Sequence, residues 1–299
     1  MNEPGHTPPQ AERILCRMSG AGFAVVVACA LLCLPQPASP QSAAPPRDDV
    51  AIEQFLRTAR VVRTRTAGKG VTDSTRATLA LGEVTHEAHI QTVEKFHRQF
   101  QTQRGIEFNF RDSWQYNVAA YKIDRLLGLN IVPVTVERRW RTNSASFTWW
   151  VDDVQMDEGE RLKRNVTPPD QECWKEQTQL LRLFDQLIDN SDRNLGNLVI
   201  DRMWRAWAID HTRAFRTARV PTNPASLTRV DRQVLERLGA LEFASLKREI
   251  GRYVEDPELR LLLARRDGIV AHFKARGESA LFDRRDLTTG CAAAPAGLQ

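Results

Sequence analysis

Residues 184–215, read as FDQLIDNSDRNLGNLVIDRMWRAWAIDHTRAF, constrain this chain more than any other stretch. Upstream, Leu180, Leu181, Phe184, Leu187 and Ile188 recur at the spacing of one apolar helical face. The polar turn NSDRN ends that helix and carries Asp192. Residues 197–200 and 204–209 then read as a short hairpin, with Asn197 opening the first strand and Asp210 closing the second. If the hairpin forms, Asn197 and Asp210 stand opposite each other, with Asp192 at the helix end beside them. Any fold for this chain has to accommodate that polar corner.

The remaining pattern changes character along the chain. Residues 52–62 read as a short helix, and GKGVTDSTRATLALGEVTHEAHIQTV reads as strand, turn and strand punctuated by Gly68, Gly70 and Gly82. After a polar stretch, RDSWQYNVAAYKIDRLLGLN predicts a helix that Gly128 stops. Two strands follow, IVPVTVERRW and SASFTWWVDDVQM, and residues 225–239, 243–254 and 257–273 read as amphipathic helices. There are no repeats. The order predicts an α+β molecule of two lobes around a cleft, a small strand-rich N-lobe and a mainly helical C-lobe. The expected divisions are 1–49 (export signal and linker), 50–150, 151–285 and a flexible tail at 286–299.

The first segment sets the compartment. Arg13 and Arg17 precede the apolar run AGFAVVVACALLCL, and PQPASPQSAAPP follows it. The run is shorter than the ~20 residues that comfortably cross a bilayer, so the chain reads as exported, periplasmic or extracellular, with cleavage near Ser42-Ala43-Ala44. The alternative is a membrane tether, since Val26-Val27-Ala28-Cys29 is similar to a lipoprotein box. Of five cysteines, Cys16, Cys29 and Cys33 lie in this leader, so a mature chain keeps Cys173 and Cys291 and at most one disulfide. The net charge of +5 is scattered. Arg138, Arg139 and Arg141 are soon opposed by Asp152, Asp153, Asp157, Glu158 and Glu160, which argues against a nucleic-acid surface.

The polar corner has a chemical reading. Phosphoryl transfer needs positioning and charge neutralisation more than covalent chemistry. Asp192 suits a base that receives the proton of an attacking hydroxyl. Asn197 and Asp210 supply oxygen ligands for a hard cation such as Mg²⁺ or Mn²⁺, and Arg193 and His211 flank them as phosphate or orienting contacts. Taken singly, NSDRN and NLGN also read as ordinary polar turns. The joint pattern D-R-x-x-x-N and then I-D-H carries the inference.

DRNLGN followed by AIDH resembles the DRxxxN and IDxG motifs of the phosphatidylinositol-kinase-like, HipA-like and secretory-pathway casein-kinase families, distant members of the protein-kinase-like fold. YNVAAYKIDRLLGLNIVP is more loosely similar to the αC-like helix and following strand of HipA-type proteins. The resemblance implies an ATP-dependent kinase with Asp192 as catalytic base and Asn197 and Asp210 as metal ligands. It implies a loop over the phosphates at 68–72, including Lys69, Gly70 and Thr72, and a hinge beside adenine at 149–152, including Trp150 and Val151. The implied partners are a nucleotide and a protein, lipid or sugar acceptor. The chain departs from the pattern in one half of the site. His89 stands where a lysine is expected, Asn117 stands where the helix often carries glutamate, and Thr212-Arg213 replaces a glycine after Asp210-His211. Those departures admit a second expectation, an inactive pseudokinase-like scaffold.

Other clusters carry less. His86 and His89 are three apart on a predicted strand and so point to opposite faces, unlike a helical zinc pair. Residues 213–216 read either as a contact to an acidic substrate, through Arg213, or as a solvated arginine pair around a buried Phe215.

Overall fold

The computed structural model describes residues 45, 47–66, 74–102, 105–190, 193–284 and 290–292. The leader, the loop holding Lys69, Gly70 and Thr72, and Asp192 lie outside the described residues. No helix among the described residues is long and apolar enough to cross a membrane.

Helix α1 (Asp49–Thr58) starts where the Asp48 side chain accepts the backbone N–H of Ala51, satisfying one of the unpaired donors of the first turn. It ends sooner than the apolar spacing of 52–62 suggests, because Arg60 already belongs to a strand. Strands β1 (Arg60–Thr66), β2 (Thr75–Leu81) and β3 (Val84–Gln91) form an antiparallel run, with Gly82 at φ 59° in the turn between β2 and β3. A hairpin of β4 (Glu94–Thr102) and β5 (Gly105–Ser113) follows, then helix α2 (Gln115–Leu127), which Gly128 closes in the left-handed conformation at φ 65°. Strands β6 (Thr135–Trp140) and β7 (Asn143–Trp149) complete a five-stranded sheet in the order β1-β2-β3-β7-β6.

The two faces of this sheet differ. Ala77, Leu79, Ala88, Ile90, Phe147 and Trp149 are buried on one face. Helix α1 covers that face: Phe55 meets Trp149 edge-on at 5.8 Å, and Arg138 donates to the carbonyls of Leu56 and Ala59. Fully burying a side chain such as Phe55 or Leu56 contributes about 1.5–3 kcal/mol. The opposite face is polar, and α2 reaches it through a hydrogen bond from Asn117 to Ser146 of 3.3 Å.

Beyond Trp149 the chain turns at Asp152-Asp153 into β8 (Val154–Asp157), helix α3 (Glu158–Lys163) and the long helix α4 (Gln171–Leu187). Strands β9 (Leu198–Asp201) and β10 (Ala206–Ala208) join β8 in a three-stranded sheet ordered β10-β9-β8. A short strand β11 (Val230–Asp231) leads into helices α5 (Arg232–Gly239), α6 (Phe243–Ile250) and α7 (Asp256–Arg276), and β12 (Leu281–Phe282) pairs parallel with β11. Cys173 on α4 is bonded to Cys291 across 118 residues of sequence. The backbone beside this disulfide is held by Ala292 N–H donating to the carbonyl of Met203, in the turn between β9 and β10.

Candidate active site

The hairpin of β9 and β10 sets the polar corner. Val199 lies opposite Trp207, and the N–H of Ile209 donates to the carbonyl of Asn197 at 3.0 Å. The residue opposite Asn197 is therefore Ile209, and Asp210, expected in that place, stands one residue further on, past the end of β10. The Asn194 side chain accepts from the N–H groups of Gly196 and Asn197, forming the turn that delivers Asn197 to the strand. Asp210 adopts φ 55°, a left-handed conformation that side-chain-bearing residues seldom take and that aspartate tolerates better than most. Its carboxylate is exposed and accepts a hydrogen bond of 3.1 Å from Thr212, in the position where the resemblance led to a glycine.

Arg193 explains how this corner holds together. Its Nη1 donates to the carbonyls of Asn197 at 2.8 Å and Ile209 at 2.6 Å, while Nε and Nη2 bond Asp185 on α4. Nη2 also lies 2.8 Å from Nε2 of His211. A guanidinium has donors only, so that ring nitrogen accepts and the imidazole is neutral. Burial, and after it the Arg193 charge, push the His211 pKa well below the ordinary histidine value. The expectation that Arg193 and His211 meet phosphate meets a plain obstacle. The guanidinium is spent on protein acceptors, and the ring is 1% exposed. Both act from behind the turn, holding the backbone that carries Asn197 and Asp210.

The sheet faces this turn with His89. Burial lowers the His89 pKa, and the Asp210 carboxylate pushes it partly back up, which places the third strand and the Asp210 turn within electrostatic reach. Asn117 ties α2 to the same turn: its Oδ1 accepts the His211 N–H at 2.8 Å while its Nδ2 donates to Ser146. The Ser113 N–H, just before α2, bonds the carbonyl of Thr212 at 2.8 Å. At the end of β7, the Trp150 N–H donates to the carbonyl of Glu87 at 3.1 Å, and the Arg76 guanidinium lies over the Trp150 ring at 3.8 Å. Val151, next along, is half-buried. Arg213 lies 3.7 Å from the Asp112 carboxylate and covers the Phe110 ring at 4.9 Å.

Among the described residues no group of three His, Cys, Asp or Glu side chains gathers to hold a metal. Asn197 and Asp210 offer two oxygen donors, one amide and one carboxylate. Such a donor pair fits Mg²⁺ or Mn²⁺ completed by phosphate oxygens and water better than a metal caged by protein alone. Asp185 and Asn117 were the functional neighbours that sequence patterns could not single out. Asp185 lies in the apolar-helix stretch, and Asn117 reads only as a missing glutamate.

A strand-rich antiparallel part, a helical part and the polar hairpin leading out of the helical core define a protein-kinase-like α+β fold. Solved structures share it. Hydra Fam20 with sugar matches with a TM-score of 0.58 at 14% identity, over 80% of this chain and 94% of that one. The Golgi casein kinase with Mn/ADP bound matches with a TM-score of 0.52 at 13% identity, over 80% and 81%. A second structure of the Golgi casein kinase gives 0.50 at 14% identity, over 82% and 81%. No protein-family model matches the chain, and no curated protein matches it.

Proposed function

We propose that the chain is an exported atypical kinase that transfers the γ-phosphoryl group of ATP to a hydroxyl on a protein, lipid or sugar acceptor, with Mg²⁺ or Mn²⁺ as its metal. The observation that carries this reading is that one hairpin brings Asn197 and Asp210 to the same end, where Ile209, next to Asp210, is bonded to Asn197 and His89 lies within electrostatic reach, within a kinase-like fold. In this reading Asp192 orients the acceptor hydroxyl and takes its proton as the bond to phosphorus forms. Asn197 and Asp210 hold the metal, which when bound neutralises charge on the transferring phosphates. Lys69, Gly70 and Thr72 cover the phosphates, His89 stands beside them, Trp150 and Val151 flank the base, and Arg213 meets the acceptor. Export is supported by the leader and by the Cys173–Cys291 disulfide, which suits an oxidising compartment.

Phosphate transfer from labelled ATP to the chain itself or to an acceptor panel, with Mn²⁺ present, tests the proposal. Transfer should vanish in Asp192→Asn and Asp210→Ala. Tight nucleotide binding with no turnover would instead favour a pseudokinase-like binding module. One observation favours that second reading: Asn117 occupies the helix position that often carries glutamate and is already committed to Ser146 and to the His211 backbone.

A further inference from the structure

One polar row crosses the whole sheet opposite its apolar face. Arg65 on β1 pairs with Arg76 on β2, Arg76 with His89 on β3, His89 with Thr148 on β7, and Thr148 with Thr135 on β6. Directly opposed residues of an antiparallel sheet point to the same side, so the five share one face. Ser146, two residues along β7 from Thr148 and so on the same face, accepts from Asn117, which also accepts the His211 N–H, so this face is turned to the Asp210–His211 turn.

Among the described residues the charges of that face do not balance. Glu87 is shared by Arg65 at 2.7 Å and by Arg76, so two guanidinium groups meet one carboxylate. Asp210 faces this surface but belongs to the metal pair. The Arg76 side chain is 28% exposed, and its Nε is buried yet donates no hydrogen bond. A buried donor left unmade costs about 1–3 kcal/mol, a cost that an anionic acceptor from a ligand would remove. Burial and the neighbouring Arg65 both push the Arg76 pKa down, as they do for a cation short of counter-charge.

We infer that Arg76 carries the cationic contact to the nucleotide phosphates that the third strand lacks, with Glu87 positioning it in place of a glutamate on α2. The inference rests on the nucleotide-binding reading above and names a residue of that same site. Arg76 lies one strand from the expected lysine position and directly opposite it. Its planar fork offers a phosphate two donors where an ammonium offers a point charge.

Calorimetric titration of the full chain with ADP in Mn²⁺, and separately with adenosine, tests this for wild type, Arg76→Met and Glu87→Gln. Methionine keeps an unbranched apolar side chain beside Trp150 and removes the charge and the donors. The expected result is ADP binding weakened about 10- to 100-fold in Arg76→Met, the loss of one or two charged hydrogen bonds, with adenosine affinity changed less than about threefold on the same arithmetic. Glu87→Gln should weaken ADP by a smaller factor and spare adenosine. Unchanged ADP affinity in Arg76→Met overturns the assignment, as does an equal loss of ADP and adenosine, which would mark Arg76 as packing for the base. Wild type that binds adenosine and ADP equally overturns it too. Wild type that binds neither overturns the nucleotide reading itself, and the role of Arg76 with it.

Discussion

The hairpin that carries Asn197 and Asp210 and the polar face of the sheet are built by opposite means. On the helical side, the backbone bearing Asn197 and Asp210 is fastened from behind by one guanidinium that reaches Asp185, two main-chain carbonyls and His211. On the sheet side, Arg65 and Arg76 stand on the polar face, held by a carboxylate shared between them. A scaffold made of main-chain contacts tolerates few substitutions, since losing the guanidinium strands several buried groups at once. A ladder of side chains on a sheet can exchange a charge between neighbouring strands while the backbone stays where it is. The difference makes the sheet side the place where a charge can move between strands without disturbing the backbone.

The largest test of that contrast is Arg193→Ala. The Arg193–Asp185 pair is mostly buried, with side chains 17% and 15% exposed. Removing one partner of such a pair typically costs about 3–5 kcal/mol, readable by denaturant unfolding, and the nucleotide response should go with it. Arg76→Met should cost at most about 1 kcal/mol, the usual scale for partly exposed ion pairs. Equal costs at the two positions would break the comparison.

The disulfide probes the same side from further back. Gln177 on α4 donates to the carbonyl of Trp204, and its Oε1 accepts the Ala206 N–H, beside Cys173 and Cys291. Replacing both cysteines by serine should lower stability by about 2–4 kcal/mol, and reductant should bring wild type to the same value. A wild-type unfolding midpoint insensitive to reductant would remove the disulfide from the account.

Asn117→Ala leaves the buried His211 N–H without its acceptor, so an unfolding cost of about 1–3 kcal/mol is expected. No change would mean that α2 does not brace the Asp210 turn.

The smallest effect concerns pH. The His211 pKa is depressed in the folded chain, so its contribution to stability is full above the unfolded value near 6.5. It is lost as pH falls below that value, where the unfolded chain takes up the proton first. One such group gives a slope of at most about 1.4 kcal/mol per pH unit. His211→Gln should flatten that acid limb; His89, shifted in the same direction, adds to it, while Asp124, pushed up to about 6 by burial, titrates in the same range with the opposite sign.

Much of this was readable from residue patterns, and the exceptions share a cause. The apolar face of α4 and the glycine stop at Gly128 are local signals, and α4 and α2 lie where they point. The hairpin bearing Asn197 and Asp210 was legible because its two strands are adjacent in sequence. The β4–β5 hairpin was not. Ile106, Phe108 and Phe110 of GIEFNFRDS do alternate with polar residues, but its partner EKFHRQFQT shows no such period, and both strands are largely exposed rather than half-buried on the core. It is held instead by distant partners, through Arg111 to Glu255 and Glu107 to Arg216. The inward turn of Arg193 was hidden for the same reason. Next to an aspartate in a polar turn it reads as a phosphate contact, and only the position of Asp185 on α4 shows where its donors go. The row from Arg65 to Thr135 joins strands far apart in sequence, so it exists only as register.

The most direct test of the central claim is thermal unfolding of the full chain with Mn²⁺ and ADP, for wild type and Asp210→Ala. A ligand at a hundredfold excess over its dissociation constant stabilises by about 2.7 kcal/mol. The account predicts a rise in melting temperature that requires metal and nucleotide together and disappears in Asp210→Ala. No rise in wild type, or an undiminished rise in the variant, would contradict it.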